Sequence, residues 1–201
     1  MTDNPLLMFL KNAYVTFLDA SQFILFFVAI VLIGYMFVIQ PHEVSGSSMY
    51  PTFKNKDFLL SYILDVQLSG ITNSRIRGIR HGDVVVFHSP VEEDKLYIKR
   101  VIGLPGDRIK LENGAVYFNG EKLDESEYLD SSVATFGGSF LQDGSEVIVE
   151  PETYFVMGDN RPYSSDSRAW GMLSSNKLIG RSMLRFYPPQ AFKFVSRDPY
   201  K

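Results

Sequence analysis

The sequence predicts a mainly β chain, in which an antiparallel β domain follows one N-terminal transmembrane helix. Residues 23–39 form an apolar stretch without a single charge, the only stretch in the chain able to cross a bilayer. Beyond residue 70 the pattern changes to short β-prone runs separated by turn residues, without a long amphipathic helix. We therefore divide the chain into an N-terminal interfacial segment (1–19), a transmembrane helix (20–41) and an all-β domain (42–201).

The prediction of a transmembrane helix rests on the length of the uncharged window and on the residues that flank it. The uncharged window 20–41 would be about 33 Å long as a helix, against a hydrocarbon core of about 30 Å. A cleavable signal peptide would need a basic start and a small-residue exit, whereas this exit reads Phe-Val-Ile-Gln-Pro-His-Glu. A buried core helix that is apolar all round would be unusual in so small a domain. A retained membrane helix is the favoured interpretation.

The segment before that helix has an amphipathic pattern. Its apolar side chains recur at helical spacing, which predicts that residues 5–19 lie along the membrane interface; they are Leu6, Leu7, Leu10, Tyr14, Phe17 and Leu18. The flanking charges do not fix an orientation, because Lys11 on one side competes with Lys54 and Lys56 on the other.

The β domain is predicted from six short apolar runs and three hairpin signals. The runs are residues 84–87, 96–99, 115–118, 147–149, 154–157 and 183–186, and the hairpin signals are Asn113-Gly114, Asn119-Gly120 and Asp143-Gly144. Residues 123–145 are polar and rich in Gly and Ser, which predicts a short, mobile accessory excursion.

Composition excludes several kinds of function. The 201 residues carry 20 Lys and Arg against 23 Asp and Glu, a net charge of −3, so no nucleic-acid partner is expected. The absence of cysteine excludes thiol nucleophiles, disulfides and Cys-ligated zinc. Three histidines without an HExxH pattern make a His-based metal site improbable, and we expect no metal and no cofactor.

Ser48 is the candidate nucleophile. It lies in the turn Val-Ser-Gly-Ser-Ser-Met-Tyr-Pro-Thr (44–52), a Gly-punctuated segment that can present a hydroxyl. A serine needs a base, but His42 is only six residues away, and His81 and His88 flank a strand without an obvious orienting acid. The turn also lacks the G-x-S-x-G pattern, which leaves a Ser-Lys arrangement.

Lys99 is the best candidate base. Its run, Leu-Tyr-Ile-Lys-Arg-Val-Ile-Gly-Leu-Pro-Gly-Asp (96–107), carries apolar neighbours that would desolvate the amine. To act as a base the lysine needs a pKa of about 7 to 8, a shift that costs about 3 to 5 kcal/mol and that burial can supply. We expect no carboxylate in direct contact with it. Taken alone, without the other segments, a solvated strand lysine is the favoured interpretation of Lys99.

A polar loop, residues 158–171, follows the apolar run 154–157 and is too long for a simple turn. Such a loop needs internal hydrogen bonds to be ordered. Asp166 and Arg168 could pair within it, and Ser164 could reach an amine. The alternative is a surface loop with an exposed, weak salt bridge.

Four segments occur in a fixed order behind the apolar helix: Val44-Ser-Gly-Ser-Ser-Met-Tyr-Pro-Thr52, Gly82-Asp-Val-Val-Val-Phe87, Tyr97-Ile-Lys-Arg-Val-Ile-Gly-Leu-Pro-Gly-Asp107 and Gly158-Asp-Asn-Arg-x-x-Ser-x-Asp-Ser-Arg-x-Trp-Gly171. With these segments the chain, from the anchor to Tyr187, resembles the single-span form of bacterial type I signal peptidase (leader peptidase). The resemblance implies a coiled, barrel-like antiparallel β-sheet domain. It also implies a membrane-anchored serine endopeptidase that cleaves signal peptides from exported preproteins after small residues (Ala-x-Ala-like), through a Ser-Lys dyad and an acyl-enzyme.

The resemblance also implies roles for individual residues. Ser48 matches the nucleophile and Lys99 the general base, and the matching supporting residues are Ser164, which orients the amine, the structural pair Asp166 and Arg168, and Met49, which packs near the base. The substrate would be bound as an added strand, main chain to main chain, between two segments: Glu43, Val44, Ser45 and Gly46 on one side and Leu96, Tyr97 and Ile98 on the other. Gly46 replaces a serine that helps bind the oxyanion in one branch of the family, which leaves the second oxyanion donor open.

By the same resemblance we expect a single-pass protein of the bacterial cytoplasmic membrane, with a cytoplasmic N-terminus and the catalytic domain on the outer face. Its partners would be signal-peptide-bearing preproteins, the lipid bilayer and, by proximity, the secretion translocon. Two alternatives remain open. A self-cleaving repressor of the Ser-Lys type should carry a DNA-binding helical domain in place of residues 23–39. A non-catalytic membrane-anchored β module has no reason to combine Ser48 with Lys99 and Ser164.

Overall fold

A computed structural model describes residues 5–37, 39–63, 78–92 and 94–195. The parts of the predicted segments at residues 1–4, 64–77 and 196–201 lie outside this description. The chain divides into two compact units at residues 39 and 40, an N-terminal helix and a β domain.

Helix α1 runs from Pro5 to Phe37 without a break. Its stretch Pro5–Tyr35 is long and apolar enough, by length and composition, to cross a membrane, and none of its most apolar window is buried by protein. The predicted interfacial segment and the predicted span therefore lie in one helix, because no proline interrupts the chain between Pro5 and Pro41.

The helix ends before the predicted boundary at residue 41. Strand β1 (Ile39–Glu43) begins there, because Pro41 cannot continue a helix and disfavours the helical conformation of the residue before it. Pro41 is tolerated in β1 because this strand lies at the edge of its sheet.

The larger sheet is antiparallel at every pairing whose register the structure describes. Its order is β1-β2-β11-β3-β4-β9-β10, with β12 also pairing with β11. The strands are β2 Phe58–Tyr62, β3 Val84–His88, β4 Leu96–Gly103, β9 Thr153–Met157, β10 Leu173–Ser174, β11 Leu178–Tyr187 and β12 Lys193–Phe194. The prediction of a mainly antiparallel β domain behind an apolar helix is confirmed.

A smaller sheet has the order β7-β6-β5-β8. Its strands are β5 Arg108–Glu112, β6 Ala115–Phe118, β7 Glu121–Lys122 and β8 Glu146–Ile148. The predicted hairpin at Asn113-Gly114 joins β5 to β6, and both residues have positive φ (52° and 74°), as a type I′ turn requires.

Strand β3 is covered by apolar side chains on both of its faces. Val84 and Val86 pack into one apolar cluster with Met49 and Phe53, whereas Val85 and Phe87 pack into another on the opposite face. Burial on both faces is the reason that the run 84–87 is continuously apolar and not alternating. Strand β4, which carries Lys99, pairs side by side with this doubly covered strand.

Residues 123–145, the predicted accessory excursion, contain no strand. They nevertheless pack against the rest of the β domain. Thr135 and Leu141 are almost fully buried, and the Thr135 amide donates to the Gly114 carbonyl at 2.8 Å. The excursion therefore contributes to the protein interior.

Candidate active site

Ser48 and Lys99 meet across 51 residues of sequence. The Lys99 Nζ donates a hydrogen bond to the Ser48 Oγ at 2.6 Å, and Lys99 is only 3% exposed. Lys99 lies on β4 opposite Val85 of β3, so its backbone position is fixed by the central strands of the sheet. A buried amine in contact with a half-buried hydroxyl is the arrangement that a Ser-Lys pair requires.

The turn that carries Ser48 is held by its own hydrogen bonds. The Tyr50 amide donates to the Ser47 carbonyl at 3.0 Å, and the Phe53 amide to the Met49 carbonyl at 2.8 Å. Met49 and Phe53, each 1% exposed, anchor the turn in the apolar cluster under β3 and β4. Met49 thus shares an apolar cluster with Ile98, the residue before Lys99, and its predicted packing near the base itself stays a prediction.

The environment of Lys99 lowers its pKa to about 8, chiefly through burial, while the charges of Asp166 and Asp159 oppose the shift and that of Arg168 adds to it. No carboxylate forms an ion pair with Lys99 within the part of the chain that the structure describes. The Tyr97 ring also covers the amine, with the Nζ 5.3 Å from the ring centroid.

Asp166 and Arg168 form a buried pair. The Arg168 Nε and Nη2 donate to the two Asp166 carboxylate oxygens, each at 2.8 Å. Asp166 also accepts from the Gly158 amide at 3.0 Å, and Arg168 donates to the Arg161 carbonyl at 2.7 Å. The contact predicted from the sequence is present, and it is an interior one, unlike the exposed salt bridge of the alternative interpretation.

Ser164 differs from the expectation that it holds the Lys99 amine. Its Oγ is buried and has no hydrogen-bond partner among the described residues. The hydroxyl instead lies against the Gly158 backbone, where a Cβ would come within 2.2 Å of it and within 2.5 Å of the Ser48 carbonyl oxygen. The Ser164 hydroxyl therefore makes no hydrogen bond to the Lys99 amine, and its orienting role stays a prediction.

Sequence reasoning missed the residues that join the Ser48 turn to the loop 158–171. The Asn160 amide donates to the Ser48 carbonyl and the Asn160 side chain to the Ser47 carbonyl, both at 3.0 Å. The position of Asn160, three residues after the end of the apolar strand β9, was the available signal.

Sequence reasoning also missed the contacts of Asp159, the neighbour of Asn160 in the sequence. Asp159 accepts two hydrogen bonds from Arg100, at 2.9 and 2.7 Å, and one from the Thr52 hydroxyl at 2.5 Å. Arg100 directly follows Lys99, and it serves the opposite face of β4 because neighbouring strand residues point in opposite directions.

One predicted edge of the substrate cleft is open. Strand β4 pairs with β9 only from Arg100 onward, so no strand of the described residues lies opposite Leu96, Tyr97 and Ile98 on that side. The Val101 amide and carbonyl bond on the β3 side, to Asp83 and Gly82. By alternation along the strand, the main-chain groups of Ile98 point to the unpaired side.

The other predicted edge is only partly available, because the main-chain groups of Val44 and the amide of Gly46 already have partners, and their role in substrate binding stays a prediction. The Val44 amide and carbonyl bond Asp57 and Lys56 at 2.8 Å each, and the Gly46 amide donates to Asn55 at 2.9 Å. These groups are used to close the Ser48 turn. The exposed Glu43 and Ser45 flank Val44, and Ser45 makes no main-chain hydrogen bond with another described residue.

His81 has an acidic partner that the sequence did not reveal. Its Nε2 lies 2.7 Å from the Asp107 Oδ2, although the two residues are 26 positions apart. The expectation that His81 lacks an orienting acid was therefore wrong. No group of three or more potential metal-ligating side chains occurs in residues 5–37, 39–63, 78–92 and 94–195.

Comparison with known proteins places residues 17–187 in one family, whose model is described as signal peptidase, peptidase S26. The chain belongs to this family. Signal peptidase IB of Staphylococcus aureus (strain MRSA252) is 32% identical over 179 residues, which cover 84% of this chain and 87% of the relative. Signal peptidase I of Bacillus caldolyticus is 35% identical over 176 residues, covering 84% and 91%.

Among solved structures, a signal peptidase I from Enterococcus faecalis V583 is similar, with 27% identity and a TM-score of 0.44, covering 52% of this chain and 97% of that one. The family resemblance drawn from the four segments is confirmed, and the chain is an enzyme of the serine peptidase class. Ser48, Lys99, Ser164, Asp166 and Arg168 all lie inside the matched region.

Proposed function

We propose that the chain is a membrane-anchored endopeptidase that removes signal peptides from exported preproteins, with Ser48 as nucleophile and Lys99 as general base. The observation that carries the proposal is the 2.6 Å contact between the Lys99 Nζ and the Ser48 Oγ, made by a lysine that is almost fully buried. Membership of the signal peptidase family supports the substrate class.

The reaction begins with the neutral amine of Lys99. As the Ser48 oxygen attacks the scissile carbonyl carbon, the amine accepts the hydroxyl proton along the existing contact. The resulting ammonium protonates the leaving amine as the peptide bond breaks, which gives an acyl-enzyme. Lys99 then takes a proton from a water molecule that attacks the ester, and it returns this proton to the Ser48 oxygen as the ester bond breaks, which releases the signal peptide with a free carboxylate and regenerates the serine.

The tetrahedral intermediate needs donors for its oxyanion. The Ser48 amide makes no hydrogen bond with another described residue, so it is available as one donor. Gly46 has no hydroxyl to serve as a second donor.

Substrate binds as an added strand on the open side of β4. Leu96 to Ile98, which pair with β3 on one side only, support one edge, and Ser45 with Glu43 supports the other. Val44 and Ile98 belong to the same apolar cluster, which favours small apolar side chains and rejects larger ones by steric clash, consistent with Ala-x-Ala-like selection.

The supporting residues hold this arrangement in place. Asp166 and Arg168 fix the loop beside the amine, Met49 anchors the nucleophile turn, and the Ser164 hydroxyl orients the lysine amine. The first two roles are supported by burial and hydrogen bonding, and the third by the unsatisfied Ser164 hydroxyl.

Helix α1 anchors the enzyme in the bacterial cytoplasmic membrane as a single span, with the N-terminus in the cytoplasm and the β domain outside. The length and apolarity of Pro5–Tyr35 support the span, and the family resemblance supports the orientation. Anchoring enzyme and signal peptide in the same bilayer, near the secretion translocon, raises the local substrate concentration.

The test is cleavage of a signal-bearing preprotein by the full-length protein in proteoliposomes, with the new N-terminus mapped by mass spectrometry. We expect a cut after a small residue, and no cut with Ser48→Ala or Lys99→Ala, each with an unchanged circular dichroism spectrum. Ser47→Ala and Lys95→Ala are matched controls, which we expect to retain activity. Wild-type rates from Ser48→Ala or Lys99→Ala would refute the assignment, and cleavage only of the chain itself would favour the repressor-like alternative.

A further inference from the structure

Arg161 is a buried cation with partners in two separate parts of the chain. It is 2% exposed, and its Nε donates to the Gly158 carbonyl at 3.1 Å within the loop 158–171. Its Nη1 donates to the Thr135 hydroxyl at 2.6 Å and to a Glu125 oxygen at 3.0 Å, and its Nη2 pairs with the other Glu125 oxygen. The excursion 123–145 thus supplies, through Glu125, the negative charge that pairs with Arg161 of the loop 158–171.

Gly158 lies between Arg161 and the turn that carries Ser48. Its amide donates to Asp166 and its carbonyl accepts from Arg161, so its peptide groups are held from both sides. Its Cα is packed so closely that an added Cβ would lie 2.5 Å from the Ser48 carbonyl oxygen and 2.2 Å from the Ser164 hydroxyl. A displacement of Gly158 therefore moves the backbone against which the nucleophile turn rests.

The excursion holds the loop at further points. The Arg161 Nη2 also donates to the Tyr128 hydroxyl at 3.5 Å, and this hydroxyl in turn donates to Glu125 at 2.5 Å. The Phe140 and Leu141 amides both donate to the Arg168 carbonyl, at 2.9 and 3.0 Å. Glu125 therefore belongs to a continuous contact between the excursion and the loop that carries Ser164.

We propose that Glu125 is a positioning residue of the peptidase, which holds Arg161 against the Gly158 carbonyl and so fixes the loop behind Ser48. The proposal rests on the proposed function of Ser48 and Lys99. Burial disfavours the charged form of Arg161, but the charge and hydrogen bonds of Glu125 outweigh it and raise the pKa of the guanidinium. Without Glu125 the cation has to move toward solvent, and the Gly158 carbonyl loses its donor.

The test compares Glu125→Gln with Glu127→Gln in the full-length enzyme, using initial rates of preprotein cleavage over a range of substrate concentrations. Glu127 is exposed, lies in the same segment and loses the same charge. We expect Glu125→Gln to lower kcat by about 10- to 100-fold, because small misplacements of reacting groups cost rates of this order. KM should stay within about twofold, since the β4 edge is untouched, and Glu127→Gln should behave as wild type.

Two further measurements separate positioning from folding. If Glu125→Gln does not fold, the double variant Glu125→Leu/Arg161→Met replaces the ion pair with apolar packing and removes the donor to Gly158. A folded double variant with reduced kcat supports the proposal, whereas wild-type kcat in either folded variant overturns it.

Hydrogen exchange at the Asn160 amide gives a readout that does not depend on activity. This amide donates to the Ser48 carbonyl, and we expect it to exchange faster in the Glu125→Gln variant than in the Glu127→Gln variant. Equal exchange in both would overturn the proposal. Failure of the wild-type protein to cleave any preprotein would instead refute the proposed function.

Discussion

The rate of cleavage should depend on pH through the protonation of Lys99. Only the neutral amine can accept the Ser48 proton, so kcat should follow the neutral fraction of the lysine. With a pKa of about 8, that fraction is about 1% at pH 6, a tenth at pH 7 and a half at pH 8. We therefore expect kcat to rise about 50-fold between pH 6 and pH 8 and only about twofold beyond.

The expected pH dependence follows from the lowered pKa of Lys99, and burial is the largest cause of that lowering. At its ordinary pKa of 10.5, only about one amine in 3,000 would be neutral at pH 7, and kcat would rise tenfold for each pH unit up to pH 10. The position of the plateau thus distinguishes a desolvated lysine from a solvated one.

The assay is single-turnover cleavage in detergent micelles between pH 5.5 and 9.5, with enzyme in excess over a preprotein that has no titratable residue near its cleavage site. Single turnover isolates acylation from product release. A rate constant that still rises tenfold per unit above pH 9, or one that does not change with pH, would refute the assignment of a buried neutral lysine as the base.

Three substitutions give further predictions. Lys99→Met should abolish cleavage yet stabilise the fold at pH 7 by up to about 3 kcal/mol, since the buried amine has a pKa of about 8 in place of 10.5. Because the unfolded chain binds more protons between these two values, wild-type stability rises with pH there and the advantage should vanish near pH 10.5 in denaturation measurements. Gly158→Ala should reduce kcat by about 100-fold or prevent folding, as its Cβ would lie 2.2 Å from a side-chain oxygen, whereas Gly34→Ala, with nothing within 4 Å, should leave activity unchanged. Thr52→Val removes a donor from the buried carboxylate of Asp159 and should lower the free energy of unfolding by about 1 to 3 kcal/mol, measured by chemical denaturation.

The sequence predicted the parts of this molecule that depend on local pattern. The run 84–87 indicated a buried strand because both of its faces are apolar, and Asn113-Gly114 indicated a hairpin because both residues accept positive φ. Ser48 and Lys99 were undecided when considered singly. Their combination with two further segments in a fixed order identified the family, and the structure brings the two side chains together.

The features that sequence reasoning missed depend on contacts between distant residues. Glu125 and Arg161 are 36 positions apart, and a charged residue in a polar stretch is usually solvated, so the excursion was expected to be mobile. Nothing local shows that Glu125 completes a buried ion pair. The main-chain bonds of Val44 were hidden for the same reason, since they depend on the closure of the Ser48 turn by Lys56 and Asp57.

The exposed flank of β4 at Leu96 to Ile98 has a consequence for handling the protein. A strand edge that accepts an extended peptide will also accept an extended segment of a neighbouring molecule, which is the usual origin of edge-to-edge aggregation. Within the described residues, only three positions of this edge lack a strand on the β9 side, and the charged Glu92 and Lys95 lie at the end of the same hairpin, where they oppose the approach of a second sheet. We expect shortness and charge together to restrict this edge to a single short strand, such as the substrate strand of the proposed function.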